Sequence, residues 1–364
     1  MRRAMQMRFG LLIATFCLLA SLAGAEEMRN IEYLCCDWGP TMTLPTKPNE
    51  PPQFSDAEEE VYFLKQIGSY TRRKLWPGWF FDGQKYEDIG RGISIYLCKM
   101  KPDGSNKTEI RELWENPAYP IDTQDQSTWI SVNAKTRTIA LSITYAGSDI
   151  TGLWTMKLDG SALQRIITPT MIEGYLQAID RPSWTPDGQW IVFANGLRGG
   201  ECNRIAKCDR NGQQFHYITD GPSDIQPCVS PDGTRIAYVV ISDTKGGLWI
   251  MNVDGSDAHR LPNPDDKRKD RIDGTYPMWS PDGKWILYAG VTGTIIDALT
   301  GKVVLLGQPT TEDKPYTFGW PHWGRNGLVG FTVAGILFTD PDLRKAKLIG
   351  PSHLGENKNK GERW

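Results

Sequence analysis

The sequence predicts an all-β chain folded as a six-bladed β-propeller of four-stranded antiparallel blades, and three observations predict it. One phrase returns three times, as PSWTPDGQWIVFANG (182–196), PCVSPDGTRIAYVV (227–240) and PMWSPDGKWILYAG (277–290). Asp-Gly between apolar runs marks a hairpin, because Gly takes positive φ without steric cost and Asp bonds its own backbone. A second phrase falls between the copies of the first: IYLCKMKPDGS (95–105), LWTMKLDGS (153–161), NRIAKCDRNGQ (203–213) and LWIMNVDGS (248–256). The anchors Trp79, Trp129, Trp184, Val229, Trp279 and Trp323 are separated by 50, 55, 45, 50 and 44 residues. That period, with two hairpins in each unit, is a propeller signature.

Taken in order, residues 1–25 run from Arg2, Arg3 and Arg8 through the apolar Leu11–Ala20 to Ala23-Gly24-Ala25, the layout of a secretory signal cleaved after Ala25. Cys17 follows bulky Phe16 and is a poor lipid-attachment cysteine. Residues 26–75 read as an N-terminal extension. Within it, TLPTKPNEPPQF is an extended linker, and Glu58 to Ile67 reads as a short helix, as a strand lacing the last blade shut, or as part of a cap. Residues 76–350 carry the repeats, and 351–364 form a polar tail. In the first copy Trp79 precedes Asp82-Gly83, and in the last Trp323 precedes Asn326-Gly327. The copy STWISVNAKTRTIALS (127–142) is the weakest, with three extra residues before its second strand and no Gly.

Forty-one basic and 43 acidic residues give a net charge of −2. Loss of the signal removes three basic groups and no acidic one, leaving −5. No basic stripe points to nucleic acid, and no later run approaches the roughly 20 apolar residues of a spanning helix. The cysteines Cys35, Cys36, Cys98, Cys202, Cys208 and Cys228 read as structural disulfides or buried thiols, since no metal ligands flank the adjacent pair.

Trp-Ser-Pro-Asp-Gly-Lys before an apolar strand, then Leu-Trp-x-Met-x-x-Asp-Gly-Ser, closely resembles the repeats of the TolB-like six-bladed propellers, an exported bacterial group. The resemblance covers about residues 76–350; the family's namesake carries a separate α/β domain before its propeller, whereas here about 50 residues lie between the expected cleavage site and the first anchor. It implies that each Pro-x-Trp strand is innermost, so that the residues just before it lie at one mouth of a central channel. Those residues are Trp76, Asp125 and Gln126, Asp180 and Arg181, Asp224 and Gln226, Asp273 and Tyr276, and Trp320 and His322. Acidic, amide and aromatic groups at a mouth suit a protein, peptide or glycan. Asp before Pro also caps local turns, and a rim Trp also plugs a ring.

Enzymatic readings draw on fewer residues. His216, His259 and Gln164 hold one slot of the outermost strand in successive repeats, so they do not converge on a metal; His322 stands alone and His353 is in the tail. No G-x-S-x-G elbow is present. Asp180, Asp224 and Asp273 precede inner strands and would meet across the channel in a glycosidase. The Asp-rich NPDDKRKDRIDG (263–274) lacks EF-hand spacing and reads as a solvated loop. Asn106-Lys107-Thr108 is a sequon with meaning only in a eukaryotic secretory route. The expectation is a monomeric, noncatalytic scaffold, periplasmic or secreted, without a cofactor. The alternative is a carbohydrate-active lyase or glycosidase using channel carboxylates and a divalent cation.

Overall fold

A computed structural model describes residues 26–33, 41–43, 60–75, 85–101, 106–116, 126–145, 150–169, 171–172, 175–197, 203–242, 246–261, 274–290 and 293–307, together with short strands between 310 and 349. The expected signal segment, the Trp79 anchor, Cys35, Cys36, Cys202 and the 351–364 tail lie outside the described residues. Every described regular element is a β-strand, and the ladders are antiparallel. No helix among the described residues is long and apolar enough to cross a membrane.

The repeats form successive four-strand meanders. The first phrase supplies an inner strand and a second strand, paired as Tyr175–Trp184 with Trp190–Leu197, Asp224–Val229 with Arg235–Val240, and Gly274–Trp279 with Trp285–Gly290. The turn between them is set by its residues. Gly188, Gly233 and Gly283 take φ of 71°, 75° and 68°, and the preceding Asp187, Asp232 and Asp282 accept hydrogen bonds from Thr185, Ser230 and Ser280 hydroxyls. The second phrase supplies the third strand and its turn, where Gly160, Gly212 and Gly255 have φ of 79°, 79° and 90°. A short outer strand follows, such as Gln164–Ile167, His216–Tyr217 or His259–Arg260.

Strand alternation buries both faces of each sheet, so the core lies between consecutive sheets. Ile191 and Phe193 pack with Ala140 and Leu153 of the preceding sheet, while their neighbours Val192 and Ala194 pack with Val229, Ile236, Tyr238 and Met251 of the next. Ala237, Val239, Leu248 and Ile250 then meet Trp279, Ile286 and Ile296. Cys208 is a free thiol inside one of these layers, with burial pushing it up to about 12.

Two sequence expectations are corrected. Trp129 is not the equivalent of Trp184 and Trp279. In the ladder Val132 faces Ile139 as Trp184 faces Ile191, Val229 faces Ile236 and Trp279 faces Ile286. Ser131, just before Val132, accepts from the Trp184 backbone N–H at 3.2 Å, as Ser183 accepts from Val229 N–H at 2.9 Å. The three extra residues in this copy are therefore an anchor misplaced by three positions. Asn133 takes the place held elsewhere by Thr185, Ser230 and Ser280. It is 3% exposed, donates to Thr185 O at 2.9 Å and accepts from Thr136 N–H at 2.8 Å and Thr136 Oγ1 at 3.0 Å. Asn133→Ala is expected to lower the unfolding free energy by about 1–3 kcal/mol in urea denaturation followed by circular dichroism, because it orphans buried partners in two sheets.

The second correction concerns residues 26–75, which are not only an extension. Thr41–Thr43 pairs with the start of Glu60–Leu75, and the strands Lys85–Met100 and Thr108–Asn116 complete that sheet. The phrase at 95–105 is thus its third strand, as in the other sheets, but its second strand is Glu60–Leu75 rather than a segment after Trp79. No Trp or Asp-Gly marks this hairpin, and the apolar run VYFL alone does not separate strand from helix.

The chain divides into two compact units. The smaller comprises Met1–Tyr33, Gln66–Ile95 and Glu112–Asp122. In it Glu26–Tyr33 pairs antiparallel with the far half of Glu60–Leu75, from Glu26 opposite Arg73 to Tyr33 opposite Gln66. The larger unit holds the sheets of Trp129, Trp184, Val229, Trp279 and Trp323. In it each inner strand contacts the next, and Thr41–Thr43 contacts both Gln126–Asn133 and Gly319–Trp323.

Candidate functional site

The inner strands carry a repeated irregularity just before the anchor. Their ladders skip between Asp180 and Ser183, Ile225 and Cys228, Thr275 and Met278, and Gly319 and His322. Each interruption holds a residue followed by proline: Arg181-Pro182, Gln226-Pro227, Tyr276-Pro277 and Trp320-Pro321. Proline cannot donate to a ladder, so a bulge accommodates it, and the residue before it is excluded from the right-handed helical region. Arg181, Gln226 and Tyr276 do not take the extended conformation usual before proline but left-handed φ of 51°, 56° and 69°. Such conformations cost roughly 1–3 kcal/mol each in non-glycine residues and concentrate at functional sites. In the first complete repeat the ladder runs unbroken from Gln126 opposite Tyr145 to Asn133 opposite Thr138, and Trp129 comes from that regular strand.

These side chains meet. The Arg181 guanidinium carbon lies 4.0 Å from the Trp129 ring centroid and 3.8 Å from that of Tyr276, and the two rings are 5.6 Å apart. Gln226 is buried and its Oε1 accepts the Tyr276 backbone N–H at 2.8 Å, which holds the strained Tyr276 in place. Four sheets therefore contribute, through their inner strands, to one cluster.

The electrostatics of the cluster are those of a partly desolvated cation. Burial draws Arg181 down to about 10, opposed by Tyr276, Asp180 and Cys228. Burial pushes the Asp180 carboxyl up to about 6, against the Arg181 charge, the Arg181 backbone N–H and the Trp129 indole. Arg181 Nε and Asp180 Oδ1 are both shielded from solvent without a hydrogen-bond partner. Cys228 is raised by burial, and its sulfur lies 3.9 Å from Met278 Sδ.

Of the mouth residues expected from the sequence, Arg181, Gln226 and Tyr276 come together, with Asp180 beside them. Asp224 does not join. It stands one ladder position earlier than Asp180, since Ile225 and Thr275 take the place of Asp180 in their sheets. One step along a strand reverses the face. Its buried carboxylate accepts instead from Thr219 and the Gly221 backbone, with burial the largest influence on it and raising its pKa. The proposed meeting of Asp180 with Asp224 is therefore not made. For Gln126, Trp320 and His322 the backbone alone is described, within Gln126–Asn133 and Gly319–Trp323. Trp320 occupies the bulge position of its sheet. Trp76, Asp125 and Asp273 lie outside the described residues. Trp129, read from the sequence as an anchor, is the member that was missed; its spacing of ten residues to Ile139, against seven from Trp184, Val229 and Trp279 to their ladder partners, was the available signal.

His216 and His259 hold equivalent exposed positions on outer strands, each ring bonded to a nearby backbone carbonyl, of Gln214 and Asp257. Among the described residues no group of three or more His, Cys, Asp or Glu side chains is placed to hold a metal.

No protein-family model matches the chain. It is 32% identical over 102 residues to the Tol-Pal system protein TolB of Francisella tularensis, which covers 28% of this chain and 22% of that protein. It is 28% identical over 162 residues to an uncharacterized protein of Agrobacterium fabrum, covering 40% of this chain and 50% of that one. The matched segments thus span half or less of these relatives' lengths. Among solved structures, TolB from Acinetobacter baumannii superposes with a TM-score of 0.50 at 15% identity, covering 78% of each chain. Together with the succession of four-stranded antiparallel sheets, this makes the fold of the chain a TolB-like β-propeller.

Proposed function

We propose that the chain is an exported, noncatalytic propeller scaffold of the periplasm or cell exterior, which binds a protein or peptide through the N-terminal ends of its inner strands. One observation carries this reading: Arg181, Trp129 and Tyr276 converge from three different sheets onto one small cluster, two of them from strained backbone. Aromatic and Arg side chains at a concave centre are the residues that dominate protein recognition. The likeness to proteins named as Tol-Pal system components supports a role in a protein assembly. The rival reading, a carbohydrate-active enzyme, has in its favour a carboxyl held near 6 at Asp180.

A photo-crosslinking residue at the exposed Ile241, which follows the strand paired with Asp224–Val229 at the end where Asp224 lies, in the full chain exposed to a cell-envelope extract of the source organism, is expected to give a discrete protein adduct. Arg181→Ala with Tyr276→Ala is expected to reduce that adduct at least tenfold while the far-ultraviolet spectrum is unchanged. Turnover of polysaccharide substrates, with or without divalent metal and abolished by Asp180→Asn, would replace this reading with the enzymatic one.

A further inference from the structure

Arg181 has half of a salt bridge. Its guanidinium is stacked against two rings, and its Nε is sealed from water. Asp180 precedes it in the chain, but the two form no ion pair among the described residues, and the residue as a whole keeps part of its surface exposed. The groups acting on its charge are Tyr276, Asp180 and Cys228, and none of these is a cation. A partly desolvated arginine whose guanidinium is in no ion pair is an unfavourable arrangement that a bound anion relieves. Its planar fork matches the two oxygens of a carboxylate. The flanking rings hold the fork in one orientation and exclude water, which strengthens an ion pair formed there. Among the described residues Arg181 is the one cation at this cluster, and a single positive charge matches a singly charged carboxylate rather than a phosphate, which gathers several donors and charges.

On the protein-binding reading given above, we infer that Arg181, held between Trp129 and Tyr276, receives a carboxylate of the bound peptide. That carboxylate belongs to an acidic side chain or to a chain end, and the two sources share the same fork. Gln226 fixes Tyr276 through its backbone N–H, and so acts as a positioning residue for the ring.

The test is a soluble library of random dodecapeptides with free carboxyl ends, captured on the immobilised full chain and identified by mass spectrometry. Captured peptides are expected to carry Asp, Glu or their chain end at a fixed position. Resynthesis separates the sources: amidating the end abolishes binding if the chain end is used, and Glu→Gln or Asp→Asn in the peptide abolishes it if a side chain is used. Either change is expected to weaken binding at least tenfold on the unaltered protein, which keeps the result independent of any variant's folding. Arg181→Gln is expected to give the same loss, with Arg181→Lys restoring part of it. Capture of peptides with no acidic requirement would overturn the carboxylate assignment alone. Failure to capture any peptide would overturn the peptide-binding reading with it. Displacement of the captured peptides by polygalacturonate at lower concentration than by free peptide would assign the fork to an acidic glycan instead.

Discussion

Trp279→Ala is expected to destabilise the larger unit by about 3–5 kcal/mol, lowering the urea midpoint with little change in the slope of the transition. The side chain is 5% exposed and packs into the layer between two sheets, against Ala237, Val239, Leu248, Ile250 and Ile286. Its indole N–H donates to Cys228 O of the neighbouring sheet at 3.0 Å, and the Arg235 guanidinium lies 4.7 Å from its ring centroid. Alanine therefore leaves a large void, an orphaned carbonyl and an unstacked cation at one place. With a domain stability of about 5–15 kcal/mol, a loss of this size is a large fraction of the total. The two buried tryptophans at this repeat position also differ in a testable way. Trp184 Nε1 is buried without a partner, so Trp184→Phe removes an unsatisfied donor, while Trp279→Phe breaks a hydrogen bond. Trp279→Phe is expected to cost more than Trp184→Phe by about 1 kcal/mol or more. Equal losses would show that the indole N–H of Trp279 contributes nothing.

Asp180→Asn is expected to stabilise the protein at pH 7.5 by about 1–3 kcal/mol and to leave stability unchanged near pH 4. Burial raises the folded-state carboxyl to about 6, whereas the unfolded chain titrates near 3.9. Between those values the folded state keeps a proton that the unfolded state has released, so stability falls as pH rises. The fall begins near pH 4 and is complete above pH 6. Asparagine carries no charge to desolvate and abolishes that dependence. Other acids contribute their own slopes: Asp224, raised by burial, acts in the same sense, and Asp187, Asp232 and Asp282, where burial is outweighed by the sum of the turn hydrogen bonds and nearby cations so that each is lowered, act in the opposite sense at lower pH. The difference between the two proteins, measured from pH 4 to 8 by denaturant unfolding, isolates Asp180. A difference constant across that range would show that the carboxyl titrates at its ordinary value.

The hairpins were legible because they are local. Thr185-Pro186-Asp187-Gly188 specifies its turn within four residues, and Ser230 to Gly233 and Ser280 to Gly283 repeat the same specification. The unbroken apolar runs WIVF and IAYVV then bury both faces of their strands, so an all-β chain of stacked sheets followed from the sequence alone. Equivalence between repeats was less legible. Trp129 matched the other anchors in type but not in register, because the side chain is large enough to fill a core layer or to cover a channel, and only the ladder partner of Ile139 distinguishes Val132 as the anchor.

The candidate site shows the same division. Its residue types and its place before each inner strand could be read from the sequence, since Arg181, Gln226, Tyr276 and Trp320 each precede a repeat proline. What the tertiary structure decided was the company those residues keep. The chain separates Trp129 from Tyr276 by three sheets' worth of sequence, and the rings come within 5.6 Å only because inner strands of non-consecutive sheets face a common centre. A one-residue difference in ladder position likewise sent Asp180 toward that centre and Asp224 into a local turn, although both are Asp residues ahead of an inner-strand proline. Local chemistry fixes turns and alternation through contacts a few residues long. Convergence depends on long-range packing and on the side of the strand each residue occupies, which a single sequence without its ladder does not specify.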